Sequence, residues 1–269
     1  MKNSIAISDE EKTLLYNYLG QGTDDKKLII FGNEPGLAGV EDLSEMINSI
    51  RKIEKVYWKT SPWNSDAESP FLLRESFAHP TTSEFARFVS RLELAVMHRD
   101  SRFLGELSAQ GQIAINEHIF KSISEKHSSL INLRPLPRPT QDTWIYSNID
   151  KKEYNKEWNF GLKRHYITPE GAKRAQAIKR FIDSPNRYRN EGILLGVGEK
   201  EHKKIFLESL FKEYDPFIRI SLDSHFIYFH SFLNIVLCDY FNSRNGIKLR
   251  GLHELSGEST ISGIFAISK

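Results

Sequence analysis

Four short apolar runs punctuate this chain: "KLIIFG" at 27–32, "LINL" at 130–133, "GILLGVG" at 192–198 and "HFIYFH" at 225–230. None reaches the ~18 residues of a membrane span. The first three read as strands buried on both faces, the kind that parallel sheets use, and the fourth is β-rich. Between them lie stretches with helical spacing: "VEDLSEMINSIRKI", "TTSEFARFVSRLELAV" (Thr82 or Ser83 as cap), "GELSAQGQIAINEHIFKSIS", "YITPEGAKRAQAIKRFI" and "EKEHKKIFLESLFKEY". Strand alternating with helix predicts an α/β fold with a mainly parallel sheet. Ser8 with Glu11 forms a capping box for an N-terminal helix that Gly20 is expected to close. Thr168 and Pro169 are a matched cap and first helical residue. "DPFIRISL" is β-rich, and "SFLNIVLCDYF" reads as helix.

Composition narrows the function classes. At 269 residues with 39% hydrophobic content, one domain spanning 1–269 is expected. The start of the chain has no signal-peptide core, and Cys238 is the single cysteine. An internal disulfide and a cysteine-ligated cluster are excluded, and a reducing cytoplasm is expected. The nine histidines show no H-x-x-x-H spacing, so no metal is predicted. Net charge is +2, but residues 151–189 hold eleven Lys/Arg against four Asp/Glu, with Tyr154, Trp158, Phe160, Tyr166 and Tyr188 interleaved. That pattern suits a phosphate backbone and equally a solvated helix face.

The strand ends carry the chemistry. "IIFGNEPG" offers Asn33 and Glu34, "LINLRP" Asn132 and Arg134, "ILLGVG" glycines, and "IYFHSFLN" His230 and Ser231. If all four strands are parallel, these ends face one crevice, where open α/β sheets bind ligands. Each group has an ordinary reading as well: a turn carboxylate, an Asx turn before the prolines, a satisfied polar histidine.

In this order the motifs resemble the uracil-DNA glycosylase superfamily. Gly32-Asn33-Glu34-Pro35-Gly36 stands where that family has G-Q-D-P, G-M-N-P-G or G-E-A-P-G. "INLRPLPRP" is similar to its N-V-V-K-C-R-P-P, "ILLGVG" to its glycine-ended strand, and "FHSFLN" to its H-P-S without the proline. The resemblance covers about residues 26–240, carried by some twenty of them.

It implies a three-layer αβα fold around a central, mainly parallel four-stranded sheet, enlarged at 41–68 and 151–189. It implies a monofunctional DNA glycosylase that hydrolyses the N-glycosidic bond of a flipped-out pyrimidine and leaves an abasic site. Glu34 would orient water and face the sugar cation, and His230 would donate to the leaving base. Asn132 would read the base edge, beside Gly32 and Asn33. Phe71, of Ser69-Pro70-Phe71, would stack on the base, with Trp63 and Phe77 as alternatives. Arg134, Ser231, Lys163 and Arg164 would meet phosphates, and Phe232 or Leu233 would fill the gap left by the base.

The enlargements, with Tyr57, Trp58 and Trp63, suggest a target bulkier than uracil, such as the glucosylated hydroxymethylcytosine of phage DNA, which would make the protein a defence enzyme rather than a repair enzyme. DNA is the expected partner. No cofactor, metal or membrane is expected, and the chain is expected to be a monomer. Two alternatives stand beside this reading: a non-catalytic DNA-binding module on the same fold, and a small-molecule nucleoside hydrolase.

Overall fold

The computed structural model describes residues 4–22, 24–35, 42–57, 84–98, 101–104, 108–125, 128–140, 142–158, 168–189, 191–222 and 225–239. Within them the strands are β1 (Gly20–Gln21), β2 (Leu28–Gly32), β3 (Ser128–Asn132), β4 (Ile193–Val197), β5 (Ile218–Leu222), β6 (His225–His230) and β7 (Ile235–Cys238). The helices are α1 (Asp9–Asn17), α2 (Asp42–Tyr57), α3 (Glu84–His98), α4 (Ala109–Glu125), α5 (Lys151–Trp158), α6 (Pro169–Ile182), α7 (Pro185–Arg189) and α8 (Lys200–Leu210). The fold is mixed α/β.

The strands form one sheet in the order β1-β3-β2-β4-β7-β6-β5. It has seven strands and is mixed, where four mainly parallel strands were expected. β3-β2, β2-β4 and β4-β7 pair in parallel, and β1-β3, β7-β6 and β6-β5 antiparallel. Side chains alternate between two cores because successive residues of a strand point to opposite faces. Ile29, Phe31, Ile131, Leu194 and Leu237 pack with residues of α1, α2, α5, α6 and α8. Leu28, Ile30, Leu195, Val197, Val236 and Cys238 pack with Phe88, Leu92, Ala95 and Val96 of α3. At the amino end of β3, buried Glu93 of α3 ties His118 of α4 (2.9 Å) to Ser128 (2.5 Å).

The local signals read from the sequence hold where turn chemistry decides them. Ser8 and Glu11 form the capping box of α1. The Thr168 hydroxyl accepts from the Gly171 amide at 3.0 Å, and Pro169 opens α6. Gly20, however, does not close α1. The helix ends at Asn17, and Gly20 pairs with Ile131 at the sheet edge.

The larger correction lies in "HFIYFHSFLNIVLCDYF". Residues 231–238 are not a helix. Ser231–Asn234 form a turn, with the Asn234 amide bonded to the Ser231 carbonyl at 3.2 Å and Asn234 in the left-handed region at φ 53°. Asparagine tolerates that conformation better than most residues. The turn sends the buried run "IVLC" back as β7, antiparallel to β6. The fourth parallel strand is therefore β7, and β6 runs the other way.

Two buried arginines hold the ends of the sheet. Arg174 of α6 donates to the carbonyls of Asn132 (2.6 Å), Leu133 (2.9 Å), Arg134 (3.3 Å), Tyr16 (3.0 Å) and Tyr18 (2.7 Å). It thus satisfies the loop that leaves β3. Arg187 of α7 donates to the carbonyls of Ile182 (2.8 Å), Leu233 and Asn234 (3.1 Å) at the β6–β7 turn. Neither is available to a phosphate backbone, although both fall in the basic stretch. Lys156 and Lys179 of that stretch pair with Glu153 and Glu213. Arg174→Met should lower the free energy of urea unfolding by about 3 kcal/mol or more, because five carbonyls lose a charged donor. Arg174→Lys should recover little of it, since an ammonium has three donors.

Candidate functional site at the carboxyl edge of the parallel strands

β2 is followed in the chain by β3 on one side of it and then by β4 on the other. Such a switch point opens a crevice outside the carboxyl ends of the strands. Register makes these ends level: Gly32 pairs with Asn132, Phe31 with Gly196 and Val197 with Cys238. The loops after β2, β3 and β4 therefore meet there.

The loop after β3 continues the parallel pairing beyond the strand. The amides of Leu133, Arg134 and Arg138 donate to the carbonyls of Gly32 (3.0 Å), Asn33 (2.6 Å) and Pro35 (3.1 Å). Pro135, Pro137 and Pro139 have no amide to place. The Leu136 amide meets the Tyr154 hydroxyl at 3.2 Å, and the Pro137 carbonyl accepts from Tyr146 at 2.7 Å. With its backbone settled in this way, the loop presents two arginines.

Those arginines build an alternating charge network. Arg138 holds Glu34 Oε2 through Nε at 2.9 Å and through Nη2. Arg134 lies 4.0 Å from the same oxygen and grips Glu199 with both ends, at 2.8 and 2.5 Å. His202 Nδ1 lies 2.9 Å from Glu199 Oε2. Trp144, Tyr146 and Tyr154 form an aromatic cluster behind it, with the Arg138 guanidinium 6.0 Å from the Trp144 ring. The Glu34 side chain is 7% exposed, and its Oε1 has no hydrogen-bond partner among the described residues. Burial, opposed by Arg138 and Arg134, raises its pKa. Burial also works to raise Glu199, but the hydrogen bonds of His202 and Arg134 outweigh it and hold that group down to about 2.

Asn33 is buried, and its Oδ1 accepts from the ammonium of Lys203 on α8. Lys203 also donates to the carbonyls of Val197 (3.0 Å) and Gly198 (2.7 Å). Burial pushes its pKa down to about 7, against the pull of Glu199 and Glu34. Asn132 lies against Gly32, where a Cβ would sit 2.6 Å from its Oδ1. That contact explains why the strand ends in glycine.

Asn33, Glu34, Asn132 and Arg134 thus come together with Gly32, as expected. His230 does not join them. It pairs with Ile235 on β7, which is level with Leu194 on β4 and hence with Ile29, at the start of β2. Five residues of rise at ~3.3 Å and three strand spacings of ~4.8 Å separate it from Glu34 by roughly 20 Å. There its Nδ1 accepts from the Leu233 amide at 3.2 Å, and Tyr214 and Phe217 meet the ring edge-on. The imidazole packs a hairpin turn.

Ser231 and Phe232 lie at the same far end, with Phe232 63% exposed and stacked on Tyr214 at 4.7 Å. Leu233 is buried. None of the three serves the crevice. Phe71, Trp58, Trp63, Phe77, Lys163, Arg164 and Gly36 lie outside the described residues, as do the Thr82 and Ser83 caps.

Sequence reading missed Arg138, Glu199 and Lys203. The doubled Arg-Pro of "RPLPRP" was a signal for Arg138. For Lys203, buried from within a lysine-rich helix, there was none.

Comparison with protein-family models, curated proteins and solved structures returns no match. Among the described residues, no helix is long and apolar enough to cross a membrane. No group of three or more His, Cys, Asp or Glu among them is placed to hold a metal ion.

The Glu199 shift has a defined sign. A carboxylate depressed on folding adds stability above its ordinary pKa and loses it as pH falls. Wild type should lose stability between about pH 4.5 and 2, and Glu199→Gln should flatten that part of the profile in denaturant melts.

Proposed function

We propose that the crevice takes one nucleobase-bearing ligand and that Glu34 promotes hydrolysis of its N-glycosidic bond. The observation that supports this reading is the free oxygen of Glu34. Oε2 is held by Arg138, while Oε1 is buried without a partner among the described residues. A carboxylate fixed by one oxygen and unpaired at the other can accept a hydrogen bond from a water admitted with the ligand. It can also face the positive charge that grows on the sugar. Its raised pKa moves it toward the range where a general base works best.

In the reaction the C1′–N bond breaks and water supplies the new C1′–O bond. The base leaves with the bonding electrons and takes up a proton. Lys203 has its three donors on three oxygens, which favours water over an amine as the nucleophile. On this reading the product is an abasic site, and no Schiff base forms. We take the substrate to be a pyrimidine turned out of DNA, either uracil or a bulkier cytosine such as glucosylated hydroxymethylcytosine. The fold would then be a divergent, enlarged relative of the uracil-DNA glycosylase architecture.

A second reading, hydrolysis of a free nucleoside in the same crevice, draws support from the inward turn of Arg174 and Arg187. It removes two cations from any DNA-facing surface.

Labelled oligonucleotides carrying uracil, hydroxymethylcytosine or its glucosylated form, treated with alkali after incubation, test the proposal beside the corresponding free nucleosides. Wild type should produce alkali-labile sites in at least one oligonucleotide. Glu34→Gln should slow single-turnover release by about 10²-fold or more. His230→Ala should keep a rate near that of wild type, because the imidazole lies far from the crevice. Release from nucleosides alone would establish the second reading. Retained DNA binding without release would establish a binding module.

A further inference from the structure

We infer that Lys203 is a positioning residue: it turns Asn33 so that the amide N–H groups face the crevice, which then selects ligands presenting a hydrogen-bond acceptor. This rests on the crevice being the ligand site proposed above. Lys203 lies in the first half of α8 and has no exposed surface. An ammonium has three donors and no acceptor. Here they go to Asn33 Oδ1, the Val197 carbonyl and the Gly198 carbonyl. Only the oxygen end of an amide can meet such a group. A reversed Asn33 would set N–H against N–H and leave a buried cation one acceptor short.

The orientation of Asn33 therefore follows from the chemistry of its neighbour. Its consequence is visible on the other side of the amide. Asn33 is 2% exposed, and its Nδ2 has no partner among the described residues. Buried N–H groups in native proteins are met by protein, water or ligand. A ligand that meets this one offers a carbonyl oxygen or an unprotonated ring nitrogen, both present on pyrimidine edges. Asn33 and Glu34 both follow the carboxyl end of β2, so the unpaired donor and the unpaired carboxylate oxygen belong to the same loop. In glycosidic cleavage the donor would face the negative charge on the departing base, the role that His230 cannot take from the far end of the sheet.

Two measurements separate this inference from the reading beneath it. The first uses no ligand. Urea unfolding of Lys203→Met, Asn33→Ala and the double variant should show overlapping losses. The unfolding constant of the double variant should rise at least tenfold less than the product of the single effects. Independent losses would overturn the Lys203–Asn33 contact.

The second measures binding and single-turnover release with a uracil-containing oligonucleotide. Asn33→Asp keeps an oxygen for Lys203 and removes the donors, so it should fold and lose tenfold or more in binding or release. Lys203→Met should lose a similar factor without touching the ligand, and combining it with Asn33→Asp should add little. Asn33→Asp with wild-type binding and release would overturn the inference. If Lys203→Met does not fold, Asn33→Asp decides alone. A wild type inert toward every probe counts against the glycosylase reading, and the unfolding cycle then decides the orientation of Asn33.

Discussion

A single guanidinium governs the geometry of the crevice. Arg174 lies fully inside the protein with five carbonyl oxygens around it, three from consecutive residues leaving β3 and two from the end of α1. Backbone carbonyls that curve away from a sheet lose their ladder partners and must be met elsewhere. Arg174 supplies the donors for one side of that loop. The loop after β2 supplies acceptors for its amides on the other. Between these two constraints a segment with a proline at every second position takes one shape. That shape brings Arg134 and Arg138 to Glu34.

The charges in the crevice depend on one another. Arg138, Glu34, Arg134, Glu199 and His202 alternate donor and acceptor, and Lys203 adds a buried cation beneath Asn33. Burial alone would make each of these groups costly. Paired in series, they leave two polar atoms of this network without a partner among the described residues: an acceptor on Glu34 and a donor on Asn33.

Much of this was legible from local signals. The capping box at Ser8, the Thr168-Pro169 helix start and the double-faced strands β2 and β4 follow from chemistry within a few residues, and the structure has them. So does the end of β2, where Gly32, Asn33 and Glu34 stand beside Asn132 and Arg134. The misreadings came where a long-range choice was needed. "SFLNIVLCDYF" is apolar enough for a helix or a strand, and a left-handed Asn234 decides between them. That one turn reverses β6 and carries His230 to the opposite end of the sheet. The basic stretch failed in a different way. Its charge was counted correctly, but two of its arginines point inward to carbonyls that no sequence window reveals.

By itself the sequence determined strands β2 to β6 and most of the helices, but not β7, and it determined that an amide and a carboxylate follow the first central strand. Those facts depend on side-chain periodicity and turn chemistry, which act over a few residues. Only the tertiary structure decided strand direction, and with it which strand ends share a crevice. It also decided which cations are spent on buried carbonyls, because those partners are distant in the chain and meet only once the sheet and its helices have packed.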